Sequence, residues 1–345
     1  MENKEQSNDI LSLKTALWTS LGIGAFTAVR SIYQHITRYE LEGKVVLITG
    51  GARGLGLAMA RLLADKGCKL VLCSRNAQQL QLAETEFQEK GVEVLTIRAD
   101  LTVQQEANQV VQAAITHFGQ LDVLINNAGT MLVGPENTME VEDYKKVADS
   151  NLWSALYMIK AAIPHFKSQG VGRIANICSI GGKIAVPHML PYSVSKFAMV
   201  GLSEGLGAEL KKDNIHVTTV IPNLMRTGSP RNITVKGGHE AEYAWFKTSA
   251  SSPLLSQHAD DAAKEIISGL QNGARNVTLT LTAKVAVALH GILPGAVESV
   301  MEFANRFLPE SNNREEKSGH ESESEKSHGI IADMSDEAAL KFNEH

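Results

Sequence analysis

A glycine-rich turn, Thr49-Gly50-Gly51-Ala52-Arg53-Gly54-Leu55-Gly56, separates a short β-branched run from a segment whose apolar residues recur at helical spacing. Glycine adopts a positive φ without strain and lets a ligand approach the backbone closely. The helix that follows presents unpaired N–H groups and a partial positive charge to an anion. In this strand-turn-helix context the turn predicts a dinucleotide-binding unit, and a tight turn that binds nothing is the alternative. A Walker-type loop is excluded, because no Gly-Lys-Ser/Thr follows the glycines.

Short apolar runs alternate with helical patterns along residues 41–275. Strands that are apolar throughout, separated by helices of about 10 to 15 residues, are typical of a parallel sheet covered on both faces. The sequence therefore predicts a doubly wound α/β fold of the Rossmann type, with a single domain over residues 41–275. Strands are expected at residues 45–49, 70–73, 92–97, 121–125, 174–178 and 217–221, and helices from Leu55 onward and over residues 77–90.

The charge balance argues against a nucleic-acid partner. The chain holds 33 Lys and Arg residues and 38 Asp and Glu residues, which gives a net charge of −5. A chain without surplus positive charge has little to hold a phosphate backbone. Hydrophobic residues make up 43% and charged residues 21%, which excludes a wholly disordered chain.

The three cysteines predict neither a metal site nor a disulfide framework. Cys68, Cys73 and Cys178 lack metal-ligand spacing, and their number is odd. We interpret them as reduced thiols of a cytosolic-type compartment, and Cys73 and Cys178 as small core residues.

Residues 10–29 form an apolar stretch in which Lys14 is the one charged residue. A spanning helix needs about 20 mainly apolar residues, and several Ser, Thr and Gly residues dilute this stretch. Residues 1–40 are therefore a candidate membrane anchor. An interfacial helix and a helix packed on the domain or on a second subunit are the alternatives. Arg30 and Arg38, on the domain side, predict that the domain lies on the cytoplasmic side.

The last part of the chain has two compositions. Residues 276–310 turn apolar and are interrupted by Pro294 and Gly295, which predicts two short amphipathic helices. Such helices can cap a substrate pocket, dock a second subunit in a homo-oligomer or lie on a membrane surface. Residues 311–345 are polar and hold the run Glu321-Ser322-Glu323-Ser324-Glu325. This segment cannot bury enough apolar surface to offset its ordering entropy, so we predict a disordered tail.

The end of the second predicted strand indicates which cofactor the glycine turn binds. Sites that prefer NAD place a carboxylate there for the ribose 2′-hydroxyl, whereas an arginine accommodates the 2′-phosphate of NADP. This chain has Ser74 and Arg75 there, with no acid, and Arg53 in the turn. Two guanidinium groups suit a phosphate dianion, so we expect NADP(H) rather than NAD(H). If both arginines are solvated surface residues, the preference stays open.

Tyr192 and Lys196 are spaced four residues apart, on one face of a predicted helix. A free tyrosine has a pKa of about 10, too high for efficient proton transfer at neutral pH. A neighbouring ammonium lowers that pKa, so Tyr192 is expected to act as general acid or base. Ser179 follows the strand at 174–178 and can donate a hydrogen bond to a substrate oxygen as charge develops there. Each residue alone is commonplace, and their combination after a nucleotide loop predicts catalysis.

In these motifs the chain resembles the short-chain dehydrogenase/reductases, in the branch with a Thr-Gly-x-x-x-Gly-x-Gly loop and a Tyr-x-x-x-Lys centre. The resemblance covers residues 41–275 and implies an NAD(P)-dependent enzyme that interconverts a CH–OH group and a carbonyl by hydride transfer. It also implies that Lys196 holds the nicotinamide ribose hydroxyls and that Asn151 helps to hold a water in a proton relay. Its motifs are the glycine turn, Asp100-Leu101-Thr102, Asn126-Asn127-Ala128-Gly129, Asn151, Ser179, Tyr192 with Lys196, and Pro222 to Thr227.

The expected site follows from these motifs. Asp100 is expected both to cap a turn and to contact adenine, and Asn127 to be structural as much as binding. No metal is expected. The expected catalytic residues are Tyr192, Lys196, Ser179 and Asn151. The expected cofactor contacts are Gly50, Arg53, Gly54, Leu55, Gly56, Ser74, Arg75, Asp100, Leu101, Asn127, Ala128, Gly129, Tyr192, Lys196, Pro222 and Thr227.

The chain departs from the family pattern at one position. Relatives usually carry Pro-Gly where this chain has Pro222-Asn223. Asparagine tolerates a positive φ, so the turn is expected to survive. Thr227 falls where the family contacts the nicotinamide carboxamide.

The small-molecule substrate is expected to be a lipophilic alcohol or carbonyl compound, because apolar residues collect where the family places its substrate flap. Packing of these residues on the core is the alternative. The competing functions are a non-catalytic nucleotide-binding scaffold, an NAD-dependent enzyme with the same chemistry and a membrane-tethering protein. The apolar residues are Ile184, Val186, Met189 and Leu190, together with Met225, Tyr243, Trp245, Phe246 and Leu254.

Overall fold

Seven parallel strands form the central sheet of the computed structural model, which describes residues 38–252, 256–327, 329 and 334–344. The strands run along the chain as β1 (Val45–Thr49), β2 (Lys69–Ser74), β3 (Val94–Arg98), β4 (Val123–Asn126), β6 (Gly172–Ile177), β7 (Ile215–Ile221) and β11 (Asn276–Thr278). From edge to edge their order is β3-β2-β1-β4-β6-β7-β11. The predicted doubly wound α/β fold is confirmed.

Helices cover both faces of this sheet because its strands are apolar on both sides. Leu47 and Val71 share one buried cluster with the helix residues Val111 and Phe166. Ile48 points to the opposite face, since side chains alternate along a strand, and it is fully buried as well. The helices are α1 (Gly54–Ala64), α2 (Ala77–Glu89), α3 (Gln104–Phe118), α4 (Val141–Ala148), α5 (Ser154–Gln169), α6 (Leu190–Glu209), α7 (His239–Ser251), α8 (Ala259–Gln271), α9 (Leu281–Ile292), α10 (Pro294–Asn305) and α11 (Met334–Lys341).

The strand order reverses between β1 and β4. The chain runs outward from β1 through β2 to β3 and then returns to the other side of β1. Ile48 pairs with Ile125, and Asn126 pairs with Asn176, so the segments after these three strands emerge side by side. Ligands of open α/β sheets bind at such a switch point, outside the carboxyl ends of the strands.

The three cysteines lie in the interior. Cys68, Cys73 and Cys178 are free and buried. Burial raises the pKa of each thiol to about 12, so all three are protonated and unreactive at neutral pH.

The structure places residues 311–327 and 334–344 of the polar C-terminal segment against the domain, whereas the sequence predicted a disordered tail. Lys247 is the reason. Its side chain is 0% exposed and pairs with Glu323 at 2.9 Å and with Asp336 at 3.2 Å. A buried ammonium needs anionic partners, and the tail supplies both. The tail also adds β12 (Lys317–Ser318) to a small sheet with β5 (Leu132–Val133) and β9 (Thr234–Val235), while β8 (Leu224–Arg226) pairs with β10 (Ser256–His258).

The apolar stretch before the tail forms α9 and α10. Within the described residues no single helix is long and apolar enough to cross a membrane, but α9 and α10 together meet that test and are bent by 119°. Leu281 and Ile292 on α9, and Phe307 just after α10, are each at least 74% exposed. The candidate anchor at residues 10–29 lies outside the described residues, so membrane contact stays a prediction.

Candidate active site

A cavity of about 920 Å³ opens at the carboxyl ends of the strands and gathers the predicted site. The glycine turn, the segments after β2, β3, β4 and β6, and the start of α6 all contribute to its wall. Every predicted catalytic residue lines this cavity, and so does every predicted cofactor contact except Gly56. Residues that lie far apart in the sequence therefore face one space.

The glycine turn can take its shape only with glycines. Gly50 and Gly54 have φ values of +63° and +54°, which strain any residue with a Cβ. A Cβ at Gly56 would lie 2.1 Å from the Gly50 carbonyl oxygen. Gly56 therefore lets the turn pack closely against the Gly50 carbonyl, although it does not line the cavity.

Thr49 and Asn127 tie the glycine turn to the end of β4. The Thr49 Oγ1 accepts from the backbone N–H groups of Asn127 and Ala128 at 2.9 and 3.0 Å. The Asn127 Nδ2 donates to the Thr49 and Gly50 carbonyls at 3.0 and 3.2 Å. The structural role expected for Asn127 is thus present in its hydrogen bonds.

Asp100 caps the turn after β3, as predicted. Its Oδ1 accepts from the backbone N–H and the hydroxyl of Thr102 at 3.0 and 2.8 Å. Such a side-chain turn fixes the loop that carries Leu101. The expected contact of Asp100 with adenine stays a prediction.

Arg53 and Arg75 lie near each other at one end of the cavity. The Arg53 guanidinium donates to the Asn232 side chain. Burial lowers the pKa of Arg53; Glu344 partly opposes this shift and the charge of Arg75 adds to it. Arg75 is exposed. Arg53 is therefore no freely solvated surface residue, and this end of the cavity suits an anion.

Tyr192 and Lys196 lie one turn apart on α6, and both line the cavity. Tyr192 and Ser179 lie on either side of Gly181, where an added Cβ would be 3.3 Å from the Tyr192 ring and 3.4 Å from the Ser179 Oγ. The Ser179 Oγ accepts from the backbone N–H of Gly181 at 3.0 Å, which fixes its position. The Lys196 Nζ donates to the Ile177 carbonyl at 3.0 Å and lies 5.6 Å from the centre of the Tyr192 ring.

The pKa of Tyr192 is shifted opposite to the sequence-based expectation. Burial raises it to about 12, although the Ser179 hydroxyl acts in the other direction. The ammonium of Lys196 does not offset this effect, because it lies beside the ring and donates to a carbonyl. Burial also lowers the pKa of Lys196. Desolvation outweighs the neighbouring charge here, and the phenol is protonated at neutral pH.

Asn151 lies in a π-helical turn, Asp149–Trp153, between α4 and α5. Its Oδ1 accepts from the Thr130 N–H at 2.7 Å, and its Nδ2 donates to the Thr130 carbonyl at 3.0 Å and to the Ser195 hydroxyl at 2.9 Å. The side chain thus binds the segment after β4 to α6. Both amide hydrogens are engaged, and the expected role of Asn151 in a water relay stays a prediction.

Asn223 does not need the left-handed conformation that the sequence analysis allowed it. The non-glycine residues with positive φ among the described residues do not include it. Its Nδ2 donates to the Thr282 hydroxyl at 3.3 Å. Thr227 is buried in the cavity wall, and its hydroxyl donates to Ser229 Oγ at 2.7 Å.

The other half of the cavity wall is apolar. Tyr243 belongs to the core below it, Leu190 is not part of the wall, and Leu254 lies outside the described residues. Ala286 and Met301, from α9 and α10, also reach the wall, which agrees with a capping role for these helices. The predicted residues that do line the cavity are Ile184, Val186, Met189, Met225, Trp245 and Phe246.

The sequence analysis missed two sets of residues. Glu344, near the C-terminus, lies at the glycine turn and lines the cavity. Glu242 is 0% exposed and accepts from the Trp245 Nε1 at 2.7 Å, while His188 Nδ1 lies 2.8 Å from its other oxygen. No spacing in the sequence marks either set, since both depend on how distant segments meet.

The residues present fit a dinucleotide. One end of the cavity holds the glycine turn, a helix N-terminus and two guanidinium groups, and the other end holds a proton donor. Within the described residues no group of three or more His, Cys, Asp or Glu side chains is placed to hold a metal ion.

Comparison with known proteins agrees with this arrangement. The sequence model described as short chain dehydrogenase matches residues 44–236. The chain is 31% identical over 304 residues to 11-beta-hydroxysteroid dehydrogenase 1A of Arabidopsis thaliana, which covers 85% of this chain and 86% of that one. Actinorhodin polyketide ketoreductase with NADPH is 29% identical with a TM-score of 0.62, over 70% of this chain and 97% of that one. A short chain dehydrogenase/reductase from Burkholderia phymatum in complex with NAD, 24% identical, has a TM-score of 0.68 over 75% and 96%, which shows the fold.

Proposed function

This chain belongs to the short-chain dehydrogenase/reductase family of nicotinamide-dependent oxidoreductases, and on that basis we propose that it interconverts a lipophilic alcohol and its carbonyl compound with NADP(H). Tyr192 is the general acid in reduction and the general base in oxidation. The observation that carries the proposal is that Ser179, Tyr192 and Lys196 line the same cavity as the glycine turn. A scaffold without catalysis has no use for a proton donor in that position.

The chemistry divides between cofactor and protein. The bound nicotinamide supplies or accepts the hydride. During reduction the Tyr192 hydroxyl donates its proton to the carbonyl oxygen, and the Ser179 hydroxyl donates a hydrogen bond to the same oxygen. The raised pKa of Tyr192, about 12, keeps the phenol protonated at neutral pH. Lys196 and Asn151 hold the surrounding segments and lie close to the proton path.

The experiment that tests this function is an assay of NADPH oxidation with a panel of carbonyl compounds of increasing size and apolarity. Turnover that rises with the apolarity of the compound supports the proposal. Absence of turnover with every compound, by a protein that binds the cofactor, would favour the scaffold.

Arg53 and Arg75 support the choice of NADP(H). We expect Arg75→Asp to raise the Kd for NADPH about 10-fold to 100-fold, the worth of a charge-assisted hydrogen bond, and to change the Kd for NADH by less than about 3-fold. Titration of nicotinamide fluorescence measures both constants. Lys212→Asp is the matched control, because Lys212 is also exposed and lies outside the cavity. An equal effect of Arg75→Asp on both cofactors would contradict the assignment.

Trp245 supports a lipophilic substrate. Its indole forms part of the apolar wall and is held by the buried carboxylate of Glu242. Burial of a large side chain contributes about 1.5 to 3 kcal/mol. We therefore expect Trp245→Ala to raise the KM for a bulky apolar ketone about 10-fold. The KM for a small ketone should change little.

Phe307→Ala is the control for this experiment, since Phe307 is 74% exposed and does not line the cavity. If Trp245→Ala shifts the KM of small and bulky ketones alike, the indole does not contact the apolar part of the substrate, and its role is to maintain the structure of the site.

A further inference from the structure

The last residues of the chain lie on the glycine turn. The backbone N–H of Gly54, at the start of α1, donates to the Phe342 carbonyl at 2.9 Å. The Asn343 Nδ2 donates to the carbonyls of Ala52 and Gln79 at 3.0 and 3.1 Å, and the Gln79 Nε2 donates to the Asn343 carbonyl at 3.1 Å. The segment Phe342–Glu344 therefore bridges the glycine turn and α2.

The Glu344 side chain adds a carboxylate to this contact. Its Oε2 accepts from the backbone N–H of Gly228 at 2.7 Å, and its Oε1 lies 3.4 Å from the Ser229 hydroxyl, which donates to it. A Cβ placed on Gly54 would stand only 3.2 Å from this carboxylate. Glu344 is 3% exposed and faces the charge of Arg53. Burial raises the pKa of Glu344 to about 7, although the charge of Arg53 and the hydrogen bonds from Gly228 and Ser229 act in the other direction.

The backbone conformation of Asn343 directs the side chains of this segment to their partners. Asn343 has a φ of +57°, a conformation that asparagine tolerates better than most residues with a Cβ. This turn sends the Asn343 side chain toward α2 and the Glu344 side chain toward the loop after β8. The contact is therefore made by two specific side chains and one backbone carbonyl.

Helix α11 anchors the segment. Asp336 pairs with Arg231 at 3.1 Å and with the buried Lys247 at 3.2 Å. The Arg61 Nη1 donates to the Lys341 carbonyl at 2.9 Å. Phe342 is 3% exposed. These contacts lie outside the cavity and hold the three residues that follow the helix at the glycine turn.

The groups that Phe342–Glu344 engages are those a dinucleotide needs. Unpaired N–H groups at a helix N-terminus and a nearby guanidinium are the standard ligands of a pyrophosphate or phosphate. The Gly54 N–H and Arg53 cannot serve a carboxylate-bearing tail and a phosphate at the same time. We propose that Phe342–Glu344 is a built-in competitor of the cofactor's phosphate groups, which the cofactor must displace in order to bind. This inference rests on the proposed use of NADP(H).

The test compares NADPH binding by the full chain and by a chain that lacks residues 342–345, with nicotinamide fluorescence as the readout. Helix α11 and the ion pairs of Asp336 stay in the shortened chain. We expect its Kd for NADPH to be at least 10-fold lower than that of the full chain. Glu344→Lys keeps the chain length but sets an ammonium beside Arg53, so it should lower the Kd at least 3-fold. Glu325→Lys, the same charge change at an exposed position, should leave the Kd unchanged.

Hydrogen exchange gives an independent readout that does not depend on deletion. Saturating NADPH should speed the exchange of the backbone amides of residues 342–344 in the full chain, because these residues leave the turn. Equal affinities of the full and shortened chains would overturn the inference and leave the proposed function standing. Slower exchange in the tail would also overturn it, since the tail would then close over the cofactor. Failure of both chains to bind NADPH or NADH would instead remove the proposed function on which the inference rests.

Discussion

Replacement of Tyr192 by phenylalanine is expected to lower kcat for carbonyl reduction about 10³-fold, within the range that a positioned general acid contributes. The substitution removes one oxygen and keeps the ring that packs beside Gly181 and Lys196. The substrate oxygen then has no proton donor. Steady-state NADPH oxidation with the best compound of the carbonyl panel measures the loss.

The pH dependence distinguishes the two directions of the reaction. Because burial raises the pKa of Tyr192 to about 12, the acid form is present throughout the neutral range. The rate of reduction should therefore be nearly flat between about pH 6 and 9, whereas oxidation needs the phenolate and should rise with pH.

Two controls separate a catalytic loss from a structural one. Tyr192→Phe should bind NADPH with a Kd within about 3-fold of the original, since a general acid acts on the reaction and not on cofactor binding. Tyr144→Phe makes the same chemical change on α4, at a residue that does not line the cavity, and should keep full activity. A Tyr192→Phe enzyme with kcat close to the original would show that the proton comes from elsewhere.

Gly56→Ala is expected to raise the Kd for NADPH at least 100-fold and to lower the free energy of unfolding by about 1 to 3 kcal/mol, as overpacking does. The added Cβ would lie 2.1 Å from the Gly50 oxygen and 2.8 Å from the Asn127 Nδ2. The turn must open to relieve these contacts, and the hydrogen bonds of Asn127 that hold it would then break. Fluorescence titration and thermal unfolding measure the two effects.

Gly205→Ala is the matched control. Gly205 lies inside α6, where a Cβ would meet nothing within 4 Å. Alanine has a higher helix propensity than glycine, by about 1 kcal/mol, so this variant should be as stable as the original or more so. If Gly56→Ala behaved like Gly205→Ala, the glycine turn would not need the close packing that the structure gives it.

The central sheet could be predicted from the sequence because its strands are apolar on both faces and end in recognisable turns. The strand predicted at residues 45–49 is β1 as observed, and the helix predicted at residues 77–90 is α2, one residue shorter. Ser179 was predicted from the strand that ends just before it and Tyr192 from its four-residue spacing to Lys196, and both line the cavity.

Other features depend on contacts between distant segments and left no local pattern. The tail from residue 311 looked too polar to fold, but Lys247 is buried and needs its acids. The pKa of Tyr192 was expected to fall because Lys196 is close in sequence, but the burial of both groups decides its direction. The relay role of Asn151 stays a prediction, but the hydrogen bonds of its amide with Thr130 and Ser195 could not be predicted from the sequence. Hydrogen-bond partners and desolvation are properties of the folded chain.

The central claim is that hydride transfer from a nicotinamide and proton transfer from Tyr192 occur in one cavity. The most direct measurement uses NADPH in which both hydrogens at C4 are replaced by deuterium, and follows the label by mass spectrometry into the alcohol formed from a lipophilic ketone. Our account predicts one deuterium on the carbinol carbon with the unaltered protein, and a rate about 10³-fold lower with Tyr192→Phe. Oxidation of NADPH without deuterium in the alcohol, or labelling at the full rate by Tyr192→Phe, would contradict it.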